Sequence, residues 1–124
     1  MDIKFDDPTR GSINYMYKEG SDFHNEMLTM ACSGHNDARC WAQSDYFFDW
    51  GTDLRVVDTD YINYAIVYSC DELFFGMAHF ENIFVLSRTP NMTDNLYTVI
   101  MNKIDIIGYP EKRLGNVSHT DCWY

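Results

Sequence analysis

The stretch that decides the fold is DTDYINYAIVYSC, residues 58–70. Its second part, residues 64–70, is rich in β-branched and aromatic side chains and predicts a strand. Residues 53–58 predict the preceding strand, and residues 59–63 carry the Asp and Asn that are typical of a turn. The stretch therefore predicts an antiparallel hairpin.

Further short strands lie on both sides of this hairpin. The apolar and aromatic pattern predicts strands at 12–17, 25–31 and 38–44 before it, and at 81–87 after it. Their starts are closely and fairly regularly spaced, and tight turns join neighbours. This arrangement predicts an antiparallel meander, and hence a sandwich or a barrel.

The hydrophobic period changes after residue 90. Thr93 is a good helix N-cap, Asp94 is favourable in a first turn, and Gly108 with Pro110 ends a helix. The residues at helical spacing between these limits are Leu96, Val99, Ile100 and Lys103. Residues 113–120 predict one more short strand.

Composition sets the limits for these elements. The 124 residues are 46% apolar and 16% aromatic, which suffices for one domain over residues 1–124 with one core. Nine Lys and Arg against 19 Asp and Glu leave a formal charge of −10. That charge argues against nucleic acid as a partner. No apolar run approaches the ~20 residues of a transmembrane helix.

Two stretches carry a family resemblance. Residues 58–70 resemble the second lipocalin signature, a T-D-Y-x-x-Y hairpin, and FVLSRTP at 84–90 resembles the third, a strand that ends in Arg before a helix. The matching signature residues are Thr59, Asp60, Tyr61, Tyr64 and Arg88. The chain resembles the apolipoprotein D-like lipocalins, which implies an all-β fold with one helix, built as an eight-stranded up-and-down barrel around a small apolar ligand.

The first lipocalin signature, G-x-W, is absent from the sequence. The resemblance assigns the visible strands to C–H of the family, with residues 3–5 as the tail of strand B. Strand A and most of strand B are then missing, and Arg88 lacks its family partner, because Trp41, Trp50 and Trp123 lie elsewhere in the order. We therefore expect another chain to supply or cover the missing strands.

The four cysteines fall into two pairs. Cys32 and Cys40 bracket a hairpin turn and predict an intrachain disulfide, whereas Cys32, His35 and Cys40 as zinc ligands lack an apparent fourth partner. The resemblance matches Cys70 and Cys122 to family cysteines whose mates lie in the missing segment, which implies interchain bonds.

The compartment signals point to secretion. Asn91 and Asn116 begin N-glycosylation sequons, and an even cysteine count suits an oxidising compartment. Residues 1–7 lack the apolar core of a signal peptide, so either a signal was removed before Met1 or the chain is a fragment or variant of a secreted protein. The alternative is an intracellular or organellar subunit of a larger complex.

Alternation along the strands predicts a ligand cup. If Arg88 points to the barrel floor, as the family pattern implies, one set of side chains faces inward. This set is Leu54, Val56, Ala65, Val67, Phe84 and Leu86. Tyr64, Ile66 and Tyr68 then face outward beneath the helix. Tyr15, Tyr17 and Met27 are additional pocket candidates, and the alternative is that the inward residues are simply core.

No catalytic set emerges, so we do not predict an enzyme. Asp58 and Asp60 form a carboxylate pair, but Asp in a strand–turn–strand context more often bonds nearby backbone. No certain cofactor or metal site is predicted. The leading prediction is a carrier of a small hydrophobic molecule such as a lipid, sterol, retinoid or tetrapyrrole. The alternative is an accessory subunit that uses the fold as an interaction surface, which the aromatic residues Phe47, Phe48, Phe74 and Phe75 favour.

Overall fold

A computed structural model describes residues 1–34, 38–44, 51–73 and 75–120. Seven strands form one antiparallel sheet whose spatial order follows the chain. The strands are β1 (Asp2–Asp7), β2 (Arg10–Glu19), β3 (Asp22–Cys32), β4 (Arg39–Ser44), β5 (Thr52–Thr59), β6 (Tyr64–Leu73) and β7 (Ala78–Ser87). Within these ranges β1 pairs with β2 alone and β7 with β6 alone, so the sheet does not close. The predicted up-and-down meander with an incomplete barrel is confirmed.

Several strands are longer than the side-chain pattern indicates. β1 pairs with β2 from Asp2 opposite Asn14 to Asp7 opposite Arg10, so it is a six-residue strand rather than a three-residue tail. The β2–β3 ladder continues to Glu19 opposite Asp22, where the turn begins at Gly20 with φ 62°. Backbone pairing persists through polar ends because the ladder hydrogen bonds do not depend on side chains.

A single α-helix, α1 (Asp94–Ile107), follows β7. The Thr93 hydroxyl accepts a hydrogen bond from the Leu96 amide at 3.3 Å, and Gly108 adopts the left-handed conformation, with φ 82°, that commonly ends helices. The amide of Gly108 donates to the carbonyl of Ile104. Both predicted helix limits are confirmed.

The predicted terminal strand at 113–120 is wrong. Glu111–Arg113 forms a 3-10 helix, closed by a 2.9 Å hydrogen bond from the Leu114 amide to the Glu111 carbonyl, and residues 114–119 have no regular structure. Leu114 packs against the hydrophobic cluster between α1 and the sheet. That contact fixes the segment beside the helix instead of along a strand.

The helix buries one face of β6 and β7, which we call the outer face. Tyr64 and Ile66 from β6 pack there against Ile100 and Ile104 of α1, as the alternation predicts. The prediction that Val99 also packs against the sheet is wrong, because Val99 is 46% exposed and Met101 joins the cluster instead. Residues 96, 100 and 104 follow one another at intervals of four and lie on one face of the helix. Val99 lies at the border of that face.

The opposite face of the sheet, the inner face, has its own core. Ile13, Met30 and Ala42 are buried there on three successive strands, and Leu54 of β5 packs against them. No helix of the described chain covers this face. The burial therefore comes from contacts between the side chains of neighbouring strands on this face.

Candidate functional site

The register of β5, β6 and β7 places the predicted cup residues on the inner face. Val56 lies opposite Val67, which lies opposite Phe84, and directly paired residues share a face. Ala65 lies opposite Leu86, and Leu54 precedes Val56 by two residues. The six predicted residues are thus brought together on one surface.

This surface is apolar and open. Val56 is 40% exposed and Phe84 48% exposed, although both share the face on which Ala42 is buried. Ile3 and Phe5 of β1 belong to the same face, because they lie opposite Ile13 and Gly11, and both are exposed as well. The inner face is therefore buried at its centre and exposed toward the two edges of the sheet.

The three additional pocket candidates, Tyr15, Tyr17 and Met27, do not all lie on one face of the sheet. Tyr15 and Tyr17 share the inner-face parity of Ile13, but Met27 lies opposite Asn14 on the outer face, so its assignment to the pocket was wrong. A shift of one residue along β3 moves every side chain to the opposite face. The alternation of that strand alone therefore did not determine the face on which Met27 lies.

Four polar and aromatic side chains meet on the inner face beside the β2–β3 turn. The hydroxyls of Tyr15 and Tyr17 both donate to the Glu26 carboxylate, the latter at 2.9 Å. The rings of Tyr15 and Tyr17 stack at 5.9 Å, and those of Tyr17 and His24 at 5.1 Å. The hydrogen bond from Tyr15, then that from Tyr17, lowers the pKa of Glu26. Sequence reasoning missed this cluster, which depends on the register of the hairpin.

The signature turn is organised around Asp60. Its Oδ1 accepts from the amides of Ile62, Asn63 and Tyr64 at 3.0, 2.7 and 3.1 Å, and its Oδ2 accepts from the Asn63 side chain at 2.7 Å. Desolvation raises the pKa of Asp60, but these donors outweigh it and hold the pKa well below its usual range. The interpretation of Asp60 as a backbone-bonding turn residue is confirmed.

The other signature residues also serve the turn. The Thr59 hydroxyl donates to the Tyr64 carbonyl at 2.6 Å and accepts from the Tyr61 amide at 2.9 Å. Tyr61 has a φ of 64° and an exposed side chain. The amide of Arg88 donates to the Asn63 carbonyl at 2.9 Å, and its side chain is exposed. These contacts tie β7 to the hairpin at one end of the sheet.

Asp58 has a structural environment of its own. It accepts from the Tyr64 hydroxyl at 2.8 Å, which raises the pKa of Tyr64, and it pairs with Lys103 of α1 at 3.4 Å. Asp58 and Asp60 are therefore held by different groups, one beneath the helix and one in the turn. Their arrangement is that of two separate structural contacts.

Cys32 and Cys40 form the predicted intrachain disulfide, with Cα atoms 4.0 Å apart on paired positions of β3 and β4. His35, the third residue of the zinc alternative, and Cys122 lie outside the described residues. Among the described residues Cys70 forms no disulfide, and it has the outer-face parity of Tyr68. Burial, then hydrogen bonds with Cys70 and Glu81, raises the pKa of Tyr68 to about 12.

Two features complete the description of the surface. Asn91 and Asn116, the predicted glycosylation positions, are exposed. A groove of about 860 Å³ lies near Arg39, Trp41 and Phe80, and none of the six predicted cup residues lines it. In the described part of the chain, no helix is long and apolar enough to span a membrane, and no cluster of three potential metal ligands is found.

Comparison with known proteins identifies the family. The model of the lipocalin / cytosolic fatty-acid binding protein family matches residues 13–121, and the chain belongs to this family. It is 40% identical over 50 residues to the crustacyanin-A1 subunit and to the crustacyanin-C1 subunit of Homarus gammarus. It is 28% identical over 67 residues to apolipoprotein D of Mus musculus. The predicted lipocalin resemblance is confirmed.

Solved structures show the same fold. Lobster apocrustacyanin A1 superposes with a TM-score of 0.72 over 90% of the chain, and apocrustacyanin C1 with 0.77 over 98%, each at 21% identity. The chain covers 61% and 66% of those two proteins. The sequence matches cover 40% of the chain and 27% of each crustacyanin subunit, and 54% of the chain and 35% of apolipoprotein D.

Proposed function

We propose that the chain binds a small hydrophobic molecule against the inner face. The observation that carries this proposal is the row formed by Val56, Val67 and Phe84, which lie opposite one another on three strands with Val56 and Phe84 exposed. Covering such a row with an apolar ligand removes apolar surface from water, which is favourable by about 25 cal/mol per Å². Membership of the lipocalin family supports the same assignment.

Two adjacent valines provide the test. Val56 and Val57 are both 40% exposed, but Val56 pairs with Val67 on the inner face, whereas Val57 lies near Tyr68 and Tyr109 at the outer surface. We expect Val56→Asn to weaken binding of a fluorescent apolar probe about tenfold, because roughly 1.4 kcal/mol of apolar contact is lost. Val57→Asn should leave binding unchanged. Equal effects of the two substitutions would contradict the proposal.

A second proposal is that the chain works as a subunit of a larger assembly. Two similar proteins are crustacyanin subunits, and the sheet has two open edges among the described strands. The outer face of β2–β4 also exposes Met16, Phe23, Met27 and Trp41. Three aromatic residues that first favoured this alternative, Phe47, Phe48 and Phe74, lie outside the described residues.

Native mass spectrometry of the purified material, followed by solvent extraction, separates the two proposals. A carrier yields an extractable apolar molecule in stoichiometric amount. A subunit yields a stable complex with another chain, in which Cys70 forms an interchain disulfide if the family pairing applies. A folded monomer with a reduced Cys70 and no extractable molecule would contradict both proposals.

A secretory location is proposed on two grounds. The Cys32–Cys40 disulfide belongs to an oxidising compartment, and both sequon asparagines are exposed to a glycosylating enzyme. A loss of mass on enzymatic removal of N-glycans from the native protein tests this proposal.

A further inference from the structure

One hydrogen bond shows which backbone groups of β7 point away from the sheet. The Arg88 amide donates to the Asn63 carbonyl at 2.9 Å, so the amide of Arg88 points toward β6. These directions alternate along an antiparallel strand, and β7 pairs with β6 without a bulge from Ala78 to Ser87. The even-numbered residues of β7 therefore bond to β6, and the odd-numbered ones direct their amide and carbonyl groups toward the open edge. These outward-facing residues are His79, Glu81, Ile83, Val85 and Ser87.

The edge of β7 is well suited to pairing with another strand. Residues 82–87 carry no charge, and Ile83 and Val85 pack against the hydrophobic cluster between α1 and the sheet, which holds the strand in place. β6 is the only described strand that pairs with β7. A long edge strand with little charge and unpaired backbone groups is a template for the addition of a strand.

The opposite edge of the sheet, β1, offers much less. The Cys32 amide donates to the Thr9 carbonyl, so the even-numbered residues of β2 bond to β1. Within the regular pairing of residues 2–5, only Ile3 and Phe5 then face outward. Charged residues flank both of them, and the register shifts after Phe5. Charges and bulges on an edge strand both oppose pairing with another chain.

We infer that β7 pairs in antiparallel orientation with β7 of a second copy, about a two-fold axis at Ile83. This register places every outward-facing residue of β7 opposite an outward-facing residue of the second copy. No like charges meet, because Glu81 lies opposite Val85 of the second copy and His79 lies opposite its Ser87. Pairing of one strand with itself also closes the assembly as a two-fold dimer, the commonest form of symmetric oligomer.

The dimer joins the two inner faces into one surface. Phe84 lies opposite Asn82 of the second copy and diagonal to its Phe84, at a separation of about 7–8 Å that aromatic side chains can span. The row of Val56, Val67 and Phe84 therefore continues into the same row of the second copy. The inference does not rest on the proposed ligand function, because a dimer that binds no ligand satisfies it.

Proline substitutions at the two edges test the inference. Sedimentation velocity of the purified protein at about 500 mM NaCl, which screens the repulsion between acidic copies, should show twice the monomer mass of 14.6 kDa. Glu81→Pro removes an outward amide and keeps the bonds to β6, so it should weaken the dimer about tenfold or more. Glu81→Ala removes the same side chain but retains the amide, and should not weaken the dimer. Ile3→Pro is the matched change at the outward side of β1, and should leave the dimer unchanged.

Crosslinking tests the register without proline. Positions 82 and 84 form a pair across the axis without hydrogen bonds, and the Cα atoms of such a pair are about 4.5 Å apart, which a disulfide spans. With Cys70 and Cys122 replaced by serine, a mixture of Asn82→Cys and Phe84→Cys proteins should form a covalent dimer in oxidised glutathione. Phe84→Cys protein alone should form much less, because its two thiols are diagonal.

Three results would overturn the inference. They are a monomer mass at every protein and salt concentration, a loss of dimer with Ile3→Pro as large as that with Glu81→Pro, and the absence of a crosslink in the mixture. A complex in which a chain of different sequence occupies the β7 edge would also overturn the inference, while it would support the proposal of a subunit in a larger assembly.

Discussion

At the scale of single residues, Asp60 illustrates how one carboxylate holds a turn. Four donors converge on its two oxygens, and three of them are backbone amides. Charge-assisted hydrogen bonds of this kind are stronger than those between neutral groups. The charge on Asp60 is therefore part of the structure of the β5–β6 hairpin.

Replacing Asp60 should destabilise the protein in a pH-dependent way. The folded pKa of Asp60 lies below its usual value of 3.8, so its contribution is fully present above pH 3.8 and is lost as the pH falls through the folded pKa. We expect Asp60→Ala to lower the free energy of unfolding at pH 7, and Asp60→Asn to lower it less, because an amide oxygen still accepts from the backbone.

Urea unfolding of the three proteins from neutral to acidic pH measures the effect. The gap between the unsubstituted protein and Asp60→Ala should narrow below pH 3.8. A gap that stays constant over the whole range would contradict the role of the charge.

The sequence could predict the roles of some of these side chains but not those of others. The turn role of Asp60 and the shared face of Val56, Val67 and Phe84 follow from local pattern, since each depends on one hairpin or on simple alternation. The contacts of Glu26 do not, because they depend on which residue of β2 lies opposite it. The early strands contain aromatic and polar residues on both faces, so their composition does not determine that pairing.

At the scale of elements, α1 depends on a narrow contact with β6. Ile100 and Ile104 are each 1% exposed against Ile66, which is fully buried, while Val99 of the same helix turn faces water. Truncating a buried isoleucine loses transfer free energy and leaves a cavity.

We expect Ile100→Ala to lower the free energy of unfolding by about 2–4 kcal/mol. Val99→Ala, its neighbour in sequence, should lower it by less than about 1 kcal/mol, because most surface substitutions have small effects. Chemical denaturation followed by circular dichroism measures both. A larger loss for Val99→Ala would show that the helix is rotated from the orientation described here.

The ends of elements were the least predictable part of the fold. The helix limits follow from Thr93 and Gly108, whose local chemistry acts within one turn. The extent of β1 and the absence of a strand after residue 113 depend on distant contacts, the first with β2 and the second between Leu114 and the helix cluster. Patterns within a short window carry no information about such contacts.

At the scale of the whole molecule, two opposing effects govern association. β1 and β7 each present an unpaired edge among the described residues, which favours pairing with another chain. A formal charge of −10 on 124 residues opposes the approach of a second copy. Salt screens the charge repulsion between copies and does not weaken the pairing of strand edges.

We therefore expect the purified protein to associate more strongly as salt increases. Sedimentation velocity at about 50 mM and about 500 mM NaCl should show a larger average mass at the higher concentration. The substitution Phe80→Lys, at an exposed position of the edge strand β7, should reduce this association, because lysines on edge strands block strand pairing. A mass of 14.6 kDa under both conditions would contradict the expectation.

The irregularity in β5 has a consequence for insertions and deletions. Val56 lies opposite Val67 and Asp58 opposite Ile66, so two neighbouring residues of β6 face three of β5. Val57 is the surplus residue of this bulge. The pairs on either side already have the alternation of an uninterrupted strand, so a chain one residue shorter at this position keeps the apolar row and the signature turn on their present faces. Elsewhere in β5 the same loss would exchange the faces of every residue on one side of it.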